Sequence, residues 1–167
     1  MGENKVQEFT QKFDFVHGAR RHFIGHLQTN KVKYIIDKVD CIQSVDSVKL
    51  AKEISRLAEK IGRKMPVLIE VNIGGEESKG GIEKAALPEL LEEIAVLPGI
   101  QVNGLMAIPP ICAEKSALCN YFSQMLIRRI SVFVCRFTER FRDMFDFSIL
   151  ISNPLINVAV VSWCAAQ

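Results

Sequence analysis

Apolar and polar positions alternate along the chain with two different periods, and the longer period marks the helices. Apolar residues recur every three or four positions over residues 48–61, and Gly62 follows directly. Asp46 and Ser47 stand where an N-cap belongs. A second amphipathic segment begins at Pro88, which suits a first helical turn, and it ends before a Pro-Gly pair. These two segments are the clearest helices that the pattern predicts.

Weaker patterns predict two further helices. In residues 5–17, one valine and two phenylalanines form a single apolar stripe. Residues 30–38 carry apolar side chains at helical spacing behind Thr29, which we expect to act as the N-cap. Because both segments are amphipathic, each is expected to pack on another element.

Apolar runs beside these helices predict strands, because they are short, bounded by turn residues and mostly rich in β-branched side chains. They cover residues 22–25, 39–45, 67–73 and 100–108. Strands and helices alternate, which is typical of consecutive βα units with parallel strands and outer helices. The predicted fold class is therefore α/β. The pattern does not settle whether the sheet is open or closed into a barrel, and a chain of 167 residues is too short for a complete TIM-type (β/α)8 barrel, which takes about 250 residues.

The character of the sequence changes after about Gln124. All 12 lysines lie at or before Lys115, whereas 5 of the 9 arginines follow it. The later residues are rich in phenylalanine and end in a long apolar run that Pro154 interrupts. This run is compatible with a buried helix followed by a buried strand. A membrane segment is the alternative, but the serines, asparagines and proline count against a span of about 20 residues.

Composition narrows the possible function classes. Apolar residues make up 49% of the chain and charged residues 24%, with a net charge of +2, so we expect a globular chain and no nucleic-acid partner. The cysteines number 5 and lack paired short spacings, so no metal site is predicted and reduced thiols are expected. The N-terminus is charged where a signal peptide would be apolar. A cytoplasmic location is therefore expected.

Residue spacing alone predicts no catalytic arrangement. His22 and His26 lie four positions apart, but Gly25 separates them at a strand end, so they would not share a helix face as metal ligands do. The glycine-rich residues 74–81 end in glycine where a phosphate-binding loop needs lysine, so a solvated loop is the simpler interpretation. Two roles are open to Asn72 at the end of a predicted strand: facing a pocket or capping the following turn.

Short motifs in five places carry a resemblance to a known family. They are GENKVQE from Gly2, HFIGHLQTNK from His22, SVDS from Ser44, VNIGGEESKGG from Val71 and GLMAIPP from Gly104. In this order and at similar intervals, they resemble the pyridoxal phosphate homeostasis protein family over about residues 2–125. The resemblance implies a single-domain barrel of the alanine racemase type that binds pyridoxal 5′-phosphate without known catalytic turnover. We therefore expect a protein that buffers and delivers this cofactor and is not an enzyme.

The same resemblance implies where the cofactor lies. Residues 2–4 resemble the end of the second barrel strand, and the third to sixth strands follow in order along the chain. Since the C-terminal ends of barrel strands face the site, the resemblance implies that Asn4, Ile24 and Met106 lie nearest the cofactor ring. Ser44 is a further candidate. For Ile24 and Met106, the alternative is an ordinary place in the barrel core.

The chain departs from the family pattern at both ends. The family holds the cofactor through a lysine on the first barrel strand, upstream of the GEN motif, whereas here Met1 directly precedes that motif. The family's phosphate-binding motifs, Ser-x-Gly-Met-Ser and Arg-x-Gly, do not occur after Met125, and no glycine follows Gly104. We therefore expect an N-terminally truncated barrel in which cofactor binding is impaired.

The resemblance fades near Met125, where lysines give way to arginines. This predicts a partial cofactor-binding barrel over residues 1–125 and a divergent tail, rich in arginine and phenylalanine, over residues 126–167. Our hypothesis for the tail is an out-of-frame or otherwise substituted C-terminus, which the other two frames of the coding DNA would test. The alternative function is that of a non-binding remnant or an interaction protein. Open strand edges predict a monomer or weak self-association, and no membrane partner is expected.

Overall fold

The fold is described for residues 1–76, 79–110, 116, 117, 119–121 and 123 in a computed structural model. Within these residues the strands are β1 (Gly2–Glu3), β2 (His22–Phe23), β3 (Cys41–Val45), β4 (Met65–Asn72), β5 (Ile82–Glu83) and β6 (Ile100–Met106). The α-helices are α1 (Val6–Lys12), α2 (Val48–Lys60) and α3 (Leu87–Ala95), and 3-10 helices cover Phe13–Phe15 and Thr29–Tyr34. The predicted tail, residues 126–167, lies outside the described residues.

The strands of this part of the chain pair only in parallel. β1, β2, β3, β4 and β6 lie side by side in that order, and β5 pairs with the end of β4. A helical segment follows each of β1, β2, β3 and β5 along the chain. This alternation confirms the predicted fold class, an α/β protein with an incomplete (β/α)8 barrel.

Helix α2 begins and ends close to where its sequence predicts. Ser47 is the N-cap residue in an extended conformation, although its hydroxyl makes no capping hydrogen bond. At the other end, Gly62 has a φ of +69°, which glycine adopts without strain. The Gly62 N–H donates to the Glu59 carbonyl oxygen at 3.0 Å. The Arg63 N–H donates to the Ala58 carbonyl oxygen at 3.0 Å, so the glycine closes the last turn.

The two weaker helix predictions differ from the structure. The segment predicted over residues 5–17 forms α1 and then a 3-10 turn, so its regular helix is shorter than predicted. The segment predicted over residues 30–38 is not an α-helix, because it forms the 3-10 helix Thr29–Tyr34 with Gln28, rather than Thr29, as its N-cap. Its buried side chains are β-branched and would lose χ1 freedom in an α-helix. Their burial still holds the segment against the sheet.

One extra residue in β3 and one in β6, the strands on either side of β4, set which of their side chains face inward. In β3, Ile42 and Val45 lie opposite β4 residues that are only two positions apart. In β6, Val102 and Gly104 lie opposite consecutive residues of β4, which makes Asn103 the extra residue. These bulges allow Ile42 and Val45, three positions apart, to face the same core.

The two faces of the sheet are packed differently. The outer face and the helices share one large apolar core, whose fully buried side chains include Phe9, Ile42, Ile54, Ile69 and Leu87. The opposite, inner face holds a small separate cluster of Cys41, Leu68 and Met106. Apolar burial contributes roughly 25 cal/mol per Å². The outer core is therefore the main source of stability in the described residues.

Candidate functional site

The inner face of the sheet brings side chains from three strands together. Cys41, Leu68 and Met106 form its apolar floor. Side chains two positions apart on a strand point to the same face, so Gln43 and Glu70 extend this face toward the strand ends. Glu70 is also the direct neighbour of Met106 in the pairing of β4 with β6. In a parallel barrel this is the edge at which ligands bind.

A carboxylate pair, Asp46 and Glu70, lies at this edge beside His26. The His26 Nδ1 and Asp46 Oδ2 atoms are 3.4 Å apart. Glu70 is 8% exposed, and its carboxylate has no hydrogen-bond or ion-pair partner among the residues that the structure describes. Burial raises the pKa of Glu70 to about 6, the Asp46 carboxylate adds to the rise, and His26 opposes it. The edge thus holds a carboxyl group that titrates closer to neutral pH than usual.

A second polar pair lies farther from the strand ends. The Gln43 Nε2 atom donates to His22 Nδ1, so the proton of the neutral imidazole is on Nε2. Burial lowers the pKa of His22, the N-terminal ammonium group acts in the same direction, and Asp40 opposes both. The Gln43 Oε1 atom is buried and unpaired within the described part of the chain. A donor supplied by a ligand would relieve the cost of that unpaired oxygen.

The residues predicted to contact a cofactor lie in separate parts of the sheet. Asn4 is exposed directly after β1, and Ile24 is half-buried directly after β2. The backbone of Asn4 lies so close to Gly25 that a Cβ atom on Gly25 would overlap it. Met106 is 1% exposed on β6, three strands away from β2. Ser44 is fully buried at the β3 bulge, and its Oγ atom is unpaired among the described residues. Contact of these four residues with a cofactor stays a prediction.

Asn72 caps the loop that follows β4. The Gly75 N–H donates to Asn72 Oδ1 at 2.9 Å, and Asn72 Nδ2 donates to the Glu76 carbonyl oxygen at 2.8 Å. Lys79 forms an ion pair with Glu76 at 2.8 Å and donates to the Pro109 carbonyl oxygen at 3.2 Å. Of the two roles open to Asn72, the structure supports the turn cap. These polar groups are bonded within the protein, as in a structural loop rather than a phosphate cradle.

Three polar residues of the inner face and its C-terminal edge are not predicted as site residues from the sequence: Gln43, Asp46 and Glu70. Gln43 and Glu70 stand inside runs of apolar and β-branched residues, 39–45 and 67–73. A polar side chain within a buried parallel strand needs either a protein partner or a ligand. A polar residue inside an otherwise apolar strand is therefore the sequence signal by which Gln43 and Glu70 could be recognised. Asp46 is harder to recognise, because its position before α2 equally suits a helix cap.

The inner face fits one part of a pyridoxal phosphate molecule and not the others. The apolar floor suits a flat aromatic ring. The aldehyde of the cofactor needs an amine held on a rigid strand, and the described strands contain no lysine. The phosphate needs unused backbone N–H groups or cations, whereas the polar groups around Asn72 are used within the loop. The described residues therefore fit the ring but not covalent attachment.

The described part of the chain has neither a cluster of metal-ligating side chains nor a membrane-spanning helix. It contains no group of three or more His, Cys, Asp and Glu side chains that could hold a metal ion. It also contains no helix with the length and hydropathy to cross a bilayer. Cys41 and Cys119 are free thiols, and burial raises the pKa of Cys41 to about 11. Cys41 is therefore a weak nucleophile at neutral pH.

Similarity to known proteins defines the class to which this fold belongs. The model of the family described as alanine racemase, N-terminal domain, matches residues 2–142. The pyridoxal phosphate homeostasis protein of Aquifex aeolicus is 48% identical over 126 residues, which are 74% of this chain and 55% of that protein. The protein of the same name from Escherichia coli K12 is 40% identical over 162 residues, which are 92% of this chain and 66% of that protein. The chain therefore belongs to the alanine racemase N-terminal domain family. Its curated relatives are pyridoxal phosphate homeostasis proteins, which confirms the assignment made from the motifs.

Solved structures agree with this assignment. PipY of Synechococcus elongatus with pyridoxal phosphate bound has a TM-score of 0.69 and 27% identity, over 79% of this chain and 62% of PipY. An unknown protein from Bifidobacterium adolescentis has a TM-score of 0.71 and 34% identity, over 81% of this chain and 60% of that protein. The alanine racemase of Corynebacterium glutamicum, at 17% identity and a TM-score of 0.60, shows a shared fold alone.

The chain spans only part of the curated relatives that it matches, 55% of the Aquifex protein and 66% of the Escherichia protein. The matches also extend to different points along this chain. The family model extends to residue 142, and the alignments cover 74% and 92% of the chain. The domain boundary expected at residue 125 therefore stays a prediction.

Proposed function

We propose that the chain binds pyridoxal 5′-phosphate at the C-terminal edge of its inner face and serves the intracellular homeostasis of this cofactor without catalysis. The observation that carries the proposal is the likeness to PipY, solved with the cofactor bound, at a TM-score of 0.69. The names of the curated relatives support it. Within this chain, the apolar floor of Cys41, Leu68 and Met106 supplies a surface for the ring.

The ring is proposed to lie nearest Asn4, Ile24 and Met106, with Ser44 as a further contact. Met106 supports this placement because it belongs to the apolar floor and pairs with Glu70 at the ligand-binding edge. Ser44 supports it because its buried Oγ atom is unpaired among the described residues. Asn4 and Ile24 rest on the motif resemblance and on their places directly after β1 and β2.

Binding is proposed to be noncovalent and weak. The described strands carry no lysine, and the family's phosphate-binding motifs do not occur after Met125. Titration of the purified chain with pyridoxal 5′-phosphate, followed by gel filtration, tests this proposal. We expect a heat of binding but no visible absorbance band that migrates with the protein and is bleached by borohydride. Such a band would overturn weak binding, and a folded chain that binds nothing would instead favour the non-binding alternative.

Substitutions that enlarge one side chain test where the ring binds. Met106→Trp overfills the apolar floor, and we expect binding to weaken by at least about tenfold. Val96→Trp is the matched control, because Val96 is exposed just beyond α3 on the outer side. Circular dichroism and thermal unfolding report whether both variants fold. Unchanged affinity in a folded Met106→Trp chain would show that the ring does not bind on this floor.

A cytoplasmic location and a monomeric or weakly self-associating state complete the proposal. The free thiols Cys41 and Cys119 suit a reducing compartment. Among the described strands β6 pairs only with β4, and a strand edge without a partner would support weak self-association. Sedimentation velocity over a range of concentrations tests the state of association. A tight dimer that persists on dilution would contradict it.

A further inference from the structure

Glu70 has a mostly buried side chain and no partner among the described residues. The residue is 8% exposed, and no described residue pairs with its carboxylate through a hydrogen bond or an ion pair. Its carboxylate oxygens are not among the fully buried unpaired atoms, so they keep some contact with solvent. Burial of the side chain still disfavours the charged form. Since Glu70 faces away from the outer core, a cationic partner at the inner face would relieve that cost.

Two described neighbours flank the Glu70 carboxylate. Its neighbour across the β4–β6 pairing is Met106, so the carboxylate stands beside the apolar floor. A Cβ atom on Gly80 would lie 3.4 Å from Glu70 Oε1, so the loop after β4 passes beside the carboxylate at this glycine. Gln43 Oε1, on the same face, is buried and unpaired in the described part of the chain. Unused hydrogen-bond acceptors thus border the floor on which a ring would lie.

The charges at this edge favour a cationic group. Asp46 is a second carboxylate close enough to act on Glu70, and the His26 ring beside it is largely exposed to water. No lysine stands on the described strands to neutralise the pair. A hydrogen bond between a carboxylate and a protonated amine is roughly twice as strong as one between neutral groups. An ammonium group on the ligand would therefore complete this edge.

We propose that Glu70, assisted by Asp46, binds a protonated amine on a phosphorylated pyridine ligand, so that the chain prefers the amine form of the cofactor to its alcohol and aldehyde forms. The inference rests on the proposed function, because it uses the same edge and the same apolar floor. The same residues that fit an aldehyde poorly would thus favour the amine form of the cofactor. The aldehyde needs an amine from the protein, whereas the amine form needs the carboxylate that this chain has.

Calorimetric titration of the full chain with three probes tests the inference: pyridoxamine, pyridoxine and pyridoxal 5′-phosphates. Pyridoxamine and pyridoxine phosphates share the ring and the phosphate and differ in an amine against a hydroxyl, so their ratio isolates the ion pair. We expect the amine form to bind about tenfold more tightly than the alcohol form at pH 7.5. In Glu70→Gln the two affinities should agree within about twofold, with that of the alcohol form unchanged. Glu89→Gln, an exposed acid on α3, is the control and should keep the full preference.

A pH series on the unaltered chain tests the same inference without a variant. The preference for the amine should be present above the pKa of Glu70, which is about 6, and should fall as the pH drops through that value. Asp46 and His26 are the other titratable groups that face the site. Equal affinities for the amine and alcohol forms would overturn this inference alone and leave the proposed function standing. A preference that survives in a folded Glu70→Gln chain would do the same. If none of the three probes binds the folded chain, the proposed function fails as well.

Discussion

The two faces of β4 differ in their side chains and in what these side chains pack against. Val67, Ile69 and Val71 point outward into the large core that the helices cover. Leu68 and Glu70 point inward, where the apolar cluster is small and the buried acid is unpaired among the described residues. Alternate residues of one strand therefore contribute separately to the helix-covered core and to the inner face where binding is proposed. Substitutions on one face should change unfolding, and substitutions on the other should change ligand affinity.

The largest expected effects on the two faces come from truncation of neighbouring aliphatic residues. Ile69→Ala removes a fully buried side chain from the outer core, and we expect a loss of about 3 kcal/mol in the free energy of unfolding. Leu68→Ala, one residue away on the small inner cluster, should cost about 2 kcal/mol, because fewer apolar neighbours enclose it. Urea unfolding of both variants measures the difference. Equal losses would show that the inner face carries as much of the stability as the outer face.

Buried serines provide a second contrast, with smaller expected effects. Ser55 on α2 accepts a hydrogen bond from the Gly99 N–H at 3.0 Å and donates to Glu59 at 2.8 Å. Ser55→Ala leaves that buried N–H unpaired and should cost about 1 to 3 kcal/mol. Ser44 has no partner for its hydroxyl among the described residues, so Ser44→Ala should be neutral or stabilising by up to about 1 kcal/mol. A clear destabilisation by Ser44→Ala in urea would show that its hydroxyl is paired in solution.

The smallest expected effect is a gain in stability from Glu70→Gln. The pKa of Glu70 is raised from 4.5 to about 6, so the folded chain binds this proton more readily than the unfolded chain does. The ionised group therefore opposes folding above pH 6, and this penalty disappears as the pH falls toward 4.5. Glu70→Gln should stabilise the ligand-free chain by about 1 kcal/mol at pH 7.5 and hardly at all at pH 4.5. A gain of the same size at both pH values would rule out titration of Glu70 as its cause.

The elements that could be predicted from the sequence are those whose pattern is local. α2 follows its apolar spacing from Val48 to the glycine after its last turn. β4 and β6 follow their apolar runs to within two residues at each end. The family followed from short motifs, because turn glycines and strand ends occupy fixed places in them.

The parts that could not be predicted depend on neighbours distant in sequence. β5 has only the two residues Ile82 and Glu83, which is too short for any period, and it exists through its pairing with β4. The 3-10 form of Thr29–Tyr34 has the same apolar spacing as an α-helix. Glu70 could not be placed on the inner face from its own strand alone, because both faces of a parallel strand are buried.

The register of β6 after its extra residue determines which of the side chains that follow it face inward and which face the helices. Side chains beyond Asn103 alternate from a starting point that this register sets. Deletion of Asn103 would remove the bulge but leave Leu105 opposite Ile69 and Met106 opposite Glu70, because Val102 and Gly104 already lie opposite consecutive residues of β4. A single codon inserted between Gly104 and Leu105 would instead turn Leu105 toward the inner face and Met106 toward the helices. In this sheet the spacing between residues carries information that the residues themselves do not.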